Sequence, residues 1–285
     1  MADRKWRRRL RRVFSLYALY AKMDFAWLLQ DTATAGMAIL SDTISQAAGV
    51  AGVFLVAWRF DGIGDMGRYE VLFMLAYAAV LQGLFTLFFD GNNTGHFSRR
   101  IGRGQLDHMM IQPVPIGLQL LTEGFLPVSG NSGLVAGLVI LAVAVRHLGL
   151  AVTPAWVLAF AGQLSASLVV LVGLMYLGST TAFYAPVAAE EITSTVYDTA
   201  TTVIGFPLSN MPRPLQAGLL TVLPSGLLAW FPALVLLGRP PLHLTALFPY
   251  VFAVGLSGLT AVLMKKGWNH YARQGSPRYS AGGFR

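Results

Sequence analysis

The sequence predicts an all-α integral membrane protein with six transmembrane helices and an N-terminal interfacial helix. Three observations carry this reading: scarce charge, six apolar stretches near spanning length, and a lopsided distribution of Lys and Arg. Of 285 residues, 55% are hydrophobic and only 12% charged, and the mean hydropathy is +0.57. Soluble domains carry about 25% charged residues, so lipid is the main solvent this composition suits. The chain has no cysteine, which removes disulfide and thiolate chemistry.

Crossing the hydrocarbon core takes about 20 mostly apolar residues. The stretches that reach or approach that length are 32–58, 69–89, 133–150, 154–177, 215–237 and 244–264. Arg146 and His147 close the third and can snorkel to the interface. Pro224, Pro232 and Pro249 predict kinks in the last two. An even number of spans puts both ends on one side. On that side fall seventeen of the twenty-one Lys and Arg residues, leaving only Arg59, Arg68, Arg146 and Arg239 opposite. Basic residues collect in the cytoplasm, so both termini are expected inside.

The chain divides accordingly into a basic N-terminus with an interfacial helix (1–31), a six-span transmembrane domain (32–264) and a cytoplasmic tail (265–285). The run Arg4-Lys5-Trp6-Arg7-Arg8-Arg9-Leu10-Arg11-Arg12 is not read as a cleaved signal peptide, because Lys22, Asp24 and Asp31 interrupt the apolar stretch after it. Nor does it argue for nucleic acid, since basic cytoplasmic ends are what the orientation bias produces. From 13 to 29, Phe14, Tyr17, Tyr20, Phe25 and Trp27 mix with Lys22 and Asp24, as in a helix lying in the interface. Between 186 and 207, Ile192, Val196, Ala200 and Val203 recur at helical spacing. Periodicity leaves open whether that piece is an inner-surface helix or a re-entrant hairpin.

Candidate chemistry concentrates in the loop 90–115, a basic island between two greasy spans. Asn92, Asn93 and Thr94 are residues that cap helices, and Gly102 and Gly104 favour a tight turn around the arginines. Pro113 and Pro115 then redirect the chain. Within the first span, Asp42 stands among Ser45 and Gln46. A carboxylate in hydrocarbon costs several kcal/mol unless paired or wetted, so these three residues are a candidate translocation path, or else glue between helices. Glu190 and Glu191 are neighbours pointing about 100° apart on a helix and do not chelate one ion together. The five histidines show no metal-ligand spacing, and no metal or cofactor is expected on this chain. No Gly-x-x-x-x-Gly-Lys-[Ser/Thr] phosphate cradle occurs, so ATP-driven work requires another polypeptide.

The string Phe97-Ser98-Arg99-Arg100-Ile101-Gly102-Arg103-Gly104-Gln105-Leu106-Asp107-His108-Met109-Met110-Ile111-Gln112-Pro113, continuing to Leu118-Gln119-Leu120-Leu121-Thr122-Glu123, resembles a signature of bacterial six-span permeases of the type-2 (exporter) ABC transporter class. Gly205-Phe206-Pro207-Leu208-Ser209-Asn210-Met211-Pro212, with Leu223-Pro224 and Phe231-Pro232-Ala233-Leu234, resembles the second half of the same ABC-2 family. That resemblance implies a subunit of the bacterial cytoplasmic membrane that pairs with a second permease, like or unlike itself, and with ABC ATPase subunits that hold ATP and Mg. It further implies that the loop after the second span is the coupling helix docking on the ATPase. The residues matching that role are Arg99, Arg100, Gly102, Arg103, Gly104, Gln105, Leu106, Asp107 and His108. The residues alone also fit a membrane scaffold that recruits a cytoplasmic partner, or an ion-coupled carrier using Asp42.

Overall fold

The computed structural model describes residues 2–185, 191–239 and 246–275. Among them the chain is helical apart from a two-residue hairpin, Gly62–Ile63 with Met66–Gly67. Helix α1 (Ala2–Gln30) leads into α2 (Thr32–Arg59), with Asp31 as N-cap accepting from the Thr34 amide at 3.0 Å. The hairpin then reverses the chain into α3 (Arg68–Phe85). A connector of three short helices comes next: α4 (Phe97–Gly102), α5 (Gln105–Ile111) and α6 (Ile116–Thr122). Beyond it lie α7 (Ser132–Leu148), α8 (Pro154–Ser179), α9 (Ile192–Ile204), α10 (Arg213–Thr221), α11 (Trp230–Leu236) and α12 (Phe248–Gln274).

Four helical runs are long and apolar enough to cross a bilayer: Thr32–Arg59, Arg68–Gly102, Pro154–Phe183 and Phe248–Gln274. A fifth arises if α10 and the bent segment after it, Pro224–Leu236, count as one broken span. The third expected span is α7, whose 17 residues rise only about 25 Å, short of the roughly 30 Å core. The structure thus supports four or five spans by length, against the six expected.

Proline explains a second difference. The two halves of the broken segment meet at 68° around Leu223-Pro224, as a ring without an N–H dictates. Pro232 and Pro249 instead lie in the first turns of α11 and α12, where a missing amide costs nothing, so they make no kink. At the break, the Ser167 hydroxyl donates to the Leu227 carbonyl at 2.8 Å and shares a 3.0 Å hydrogen bond with the Tyr77 hydroxyl. A freed backbone carbonyl is thereby satisfied away from water.

Helix α3 is the axis of the core: Phe73, Tyr77, Leu81 and Phe85 are almost fully buried, facing Val170, Met175 and Phe231 of its neighbours. Its seam with α7 is made by glycines. A methyl on Gly83 would strike the Leu134 backbone, and one on Gly137 would come within 2.8 Å of the Val80 nitrogen. Small residues allow backbones to approach this closely, which is how helices associate where the hydrophobic effect is absent. By contrast α2 buries only Ala35 and Ala57, and Met37, Leu40, Ile44 and Leu55 stay exposed. Replacing Gly137 with Leu should separate α3 from α7, costing roughly 1–3 kcal/mol and lowering the thermal midpoint in detergent, whereas Gly52→Leu on the open face of α2 should not lower it.

Candidate functional site: the connector between α3 and α7

The connector begins where α3 loosens into a wide turn, Thr86–Asp90, and then Gly91–Asn93. Asn92 and Asn93 take left-handed backbone angles (φ 50° and 54°), a conformation Asn tolerates better than most residues. They build the reversal and do not cap α4, whose N-cap position is His96. The turn is tied down by the Thr94 hydroxyl donating to the Phe89 carbonyl at 2.8 Å and the Gly91 amide to the Gly124 carbonyl at 3.2 Å. Gly104, at φ 68°, then breaks α4 from α5. That is the expected tight turn, placed at the second glycine of the pair.

Arg100 organises the block. Its side chain is buried; one guanidinium nitrogen donates to the Glu123 carboxylate at 2.7 Å and Nε donates to the Asn92 carbonyl at 2.6 Å. Helix α4 and the C-cap of α6 are therefore joined to the turn before them. Gln119 reinforces this by donating to the Met109 and Val114 carbonyls at 3.0 and 2.7 Å. Beneath lies a small core of its own: Phe97, Ile101, Leu106 and Met109 pack with Phe183 and Tyr271. This core is separate from the one around α3.

The block is also bonded to the ends of other helices. Ser98 reaches α9, its hydroxyl sharing a 2.7 Å hydrogen bond with that of Thr193. Arg99 reaches Glu191 at 2.8 Å, and the Tyr271 hydroxyl of α12 donates to Asp107 at 2.9 Å. Gly267 of α12 faces Phe183 so closely that any Cβ would clash with the ring. One rigid piece thus touches the ends of α8, α9 and α12 at once.

Of the nine residues singled out by sequence, Arg100, Gly102 and Leu106 are buried and build the block from within. Arg99 and Asp107 are half-buried and bonded inward, and Gly104 forms the turn. Arg103, Gln105 and His108 are exposed, and beside them Met110 and Ile111 present bare apolar side chains, Ile111 being 79% exposed. Sequence reasoning did not single out Glu123, Thr193, Tyr271 or Ile111. Only Glu123 carried a signal, as a lone carboxylate at the end of an apolar run near an arginine cluster. Glu190 lies outside the described residues, so the Glu190–Glu191 pair is seen only at Glu191, which serves Arg99. Of the stretch 186–207, residues 186–190 likewise lie outside the described residues, and α9, with 13 residues, rises about 20 Å.

Asp42, Ser45 and Gln46 all face the space between α2 and its neighbours. Ser45 and Gln46 line a cavity of about 330 Å³ between α2, α3 and α9, together with Gln82, Thr201 and Thr202. Asp42 lies off it and accepts a short hydrogen bond from the Ser132 hydroxyl, at the level of the first turn of α7. Among the described residues, no group of three His, Asp or Glu side chains converges as metal ligands would.

Long apolar helices joined by a polar, braced connector define a helical protein able to span a membrane. The sequence profile of the ABC-2 family transporter proteins matches residues 44–275, and the chain belongs to that family as a permease component of an ABC transporter. No curated protein and no solved structure matches.

The Arg99 guanidinium holds the Glu191 carboxyl below the usual carboxylate range. A lowered carboxyl stabilises the folded state above its unfolded pKa and loses that contribution as pH falls through the folded value. The Arg99–Glu191 contact should therefore persist at neutral pH and be lost on acidification, seen as faster amide exchange near Arg99, with the buried Ser98–Thr193 bond still holding α4 to α9, while Glu191→Gln should show the faster exchange at every pH. Removing one partner of the buried pair, as in Arg100→Ala, should cost about 3–5 kcal/mol, whereas the exposed Gln105→Ala should change stability by less than ~0.5 kcal/mol; thermal unfolding of the two variants measures the difference.

Proposed function

We propose that this chain is the permease of an ATP-driven exporter in the bacterial cytoplasmic membrane, with both termini and the connector on the cytoplasmic side. The observation that supports this best is the division of the connector into a braced interior and an exposed tip. Arg100, Leu106 and Gln119 make it stiff, while Arg103, Gln105, His108, Met110 and Ile111 stand outward with an apolar centre and polar edge. Protein interfaces have that composition, and a stiff block can pass force where a floppy loop cannot. An ABC ATPase, holding ATP and Mg, docks on this tip. Family membership makes such a partner the expected one.

In this reading the six spans are α2, α3, α7, α8, the bent α10–α11 pair and α12. The short α7 is accommodated by local thinning of the bilayer or by its neighbours. ATP binding closes the ATPase pair and displaces the connector, and the inner ends of α8, α9 and α12 move with it through Phe183, Thr193 and Tyr271. Two packings of the bundle, biased by nucleotide, then alternate access. A second permease completes the path, and the cavity at Ser45, Gln46, Gln82 and Thr201 is where cargo passes through this subunit.

The test uses the tip. Substituting Arg103 and His108 together with Ala should weaken association with the ATPase about tenfold, a loss of ~1.4 kcal/mol, and reduce permease-stimulated ATP hydrolysis, with membrane insertion unchanged. Undiminished stimulation in that variant, or labelling of Ile111→Cys only from outside intact cells, would overturn the assignment.

A further inference from the structure

We propose that α1 is an anionic-lipid sensor wired to the connector, so that negatively charged lipid in the adjoining leaflet sets the connector's position. The inference rests on the reading that the connector is cytoplasmic. The family match begins at residue 44, so α1 stands outside it. Its first twelve residues include seven Lys and Arg against the single acid Asp3. Leu10, Phe14, Leu19, Met23, Phe25, Trp27 and Leu29 are all exposed, Phe14 by 69%, and at about 100° per residue they surround the helix except for two gaps, the wider of which holds Asp24 and Tyr17. Arg11 and Lys22 lie at the other gap, across the helix from Asp24 and Tyr17. Exposed apolar side chains with cations among them suit a helix that lies in the headgroup layer of an anionic membrane, where each Lys or Arg adds to the attraction.

The face of α1 that holds Asp24 and Tyr17 is not free. Asp24, only 7% exposed, accepts hydrogen bonds from the Val128 amide (2.7 Å), the Ser129 amide (3.1 Å) and the Ser129 hydroxyl (2.6 Å). Two turns earlier, the Tyr17 hydroxyl donates to the Leu121 carbonyl at 2.9 Å, and its ring stands edge-on to Phe125 at 5.0 Å. Nearer the start, Arg12 donates to the Pro113 carbonyl at 3.2 Å. These clasps fall along the connector from the end of α5 to the turn before α7. A helix held by lipid on one side and by connector carbonyls and amides on the other must pass any shift in depth to the segment it holds. The carboxylate is the central clasp, because it alone takes three donors.

The absence of native cysteine makes the measurement direct. The full chain is reconstituted into nanodiscs of phosphatidylcholine, alone or with phosphatidylglycerol, with one environment-sensitive dye on Phe14→Cys or on Met110→Cys. The Phe14 probe should be quenched by nitroxide-labelled lipid. The Met110 probe, which the structure places on the exposed tip, should shift its emission when phosphatidylglycerol is added. Asp24→Asn and Tyr17→Phe should each cut that Met110 shift at least twofold while leaving the Phe14 quenching in place; Tyr17→Phe guards against a fold defect in the charge variant. No quenching at Phe14, or a Met110 probe indifferent to phosphatidylglycerol, would overturn the proposal. So would a Met110 shift that survives both substitutions intact. No ATPase is present in these discs, so a failure here is distinct from a failure of ATPase docking.

Discussion

The buried contact between Arg100 and Glu123 is the constraint on which the rest of the connector depends. A guanidinium removed from water is tolerable only where its donors are taken, and here they meet a carboxylate, a backbone carbonyl and the Met109 sulfur. Because those partners come from three different short elements, the cation fixes their mutual arrangement in a way no single helix could. Helices of six or seven residues have little stability alone. Their existence here depends on the arginine and on the apolar patch of Phe97, Leu106 and Phe183 beneath it.

This arrangement separates two jobs within one basic string. Arginines at 99 and 100 look alike in sequence, yet one is turned toward α9 and the other into the block. Arg103, past the end of α4, faces outward. The alternation comes from helix geometry: successive residues diverge by about 100°, so a run of basic residues cannot all serve one surface. Within this one basic string, some cations hold the shape of the block and another lies on its surface.

Much of the architecture is legible from residues. The apolar stretches 32–58, 69–89 and 154–177 coincide closely with α2, α3 and α8, because side-chain hydropathy over twenty residues is a strong signal. The helix expected at 13–29 is present within α1, which begins earlier than the aromatic pattern suggests. Composition does not carry relations across the chain. Asp24 reads as a polar interruption, and its partners at Val128 and Ser129 lie over a hundred positions away. Asp42 reads as embedded because it falls inside the apolar stretch 32–58, while its side chain in fact meets the first turn of α7. Proline is read by residue type alone, and its effect turns on whether it falls in a first turn or between two helices.

The glycine seam between α3 and α7 has a consequence for how such a bundle can change shape. Two backbones in direct contact at Gly83 and Gly137 cannot slide past each other without lifting apart, since a neighbour's main chain fills the notch each glycine leaves. These two helices must therefore travel as a single beam. Bending is confined to joints that lack such interlocking, and α2, one wall of the cavity, is such a joint: it is held by the half-buried Val50, Val53 and Phe54 and by the Asp42–Ser132 hydrogen bond, with no glycine notch.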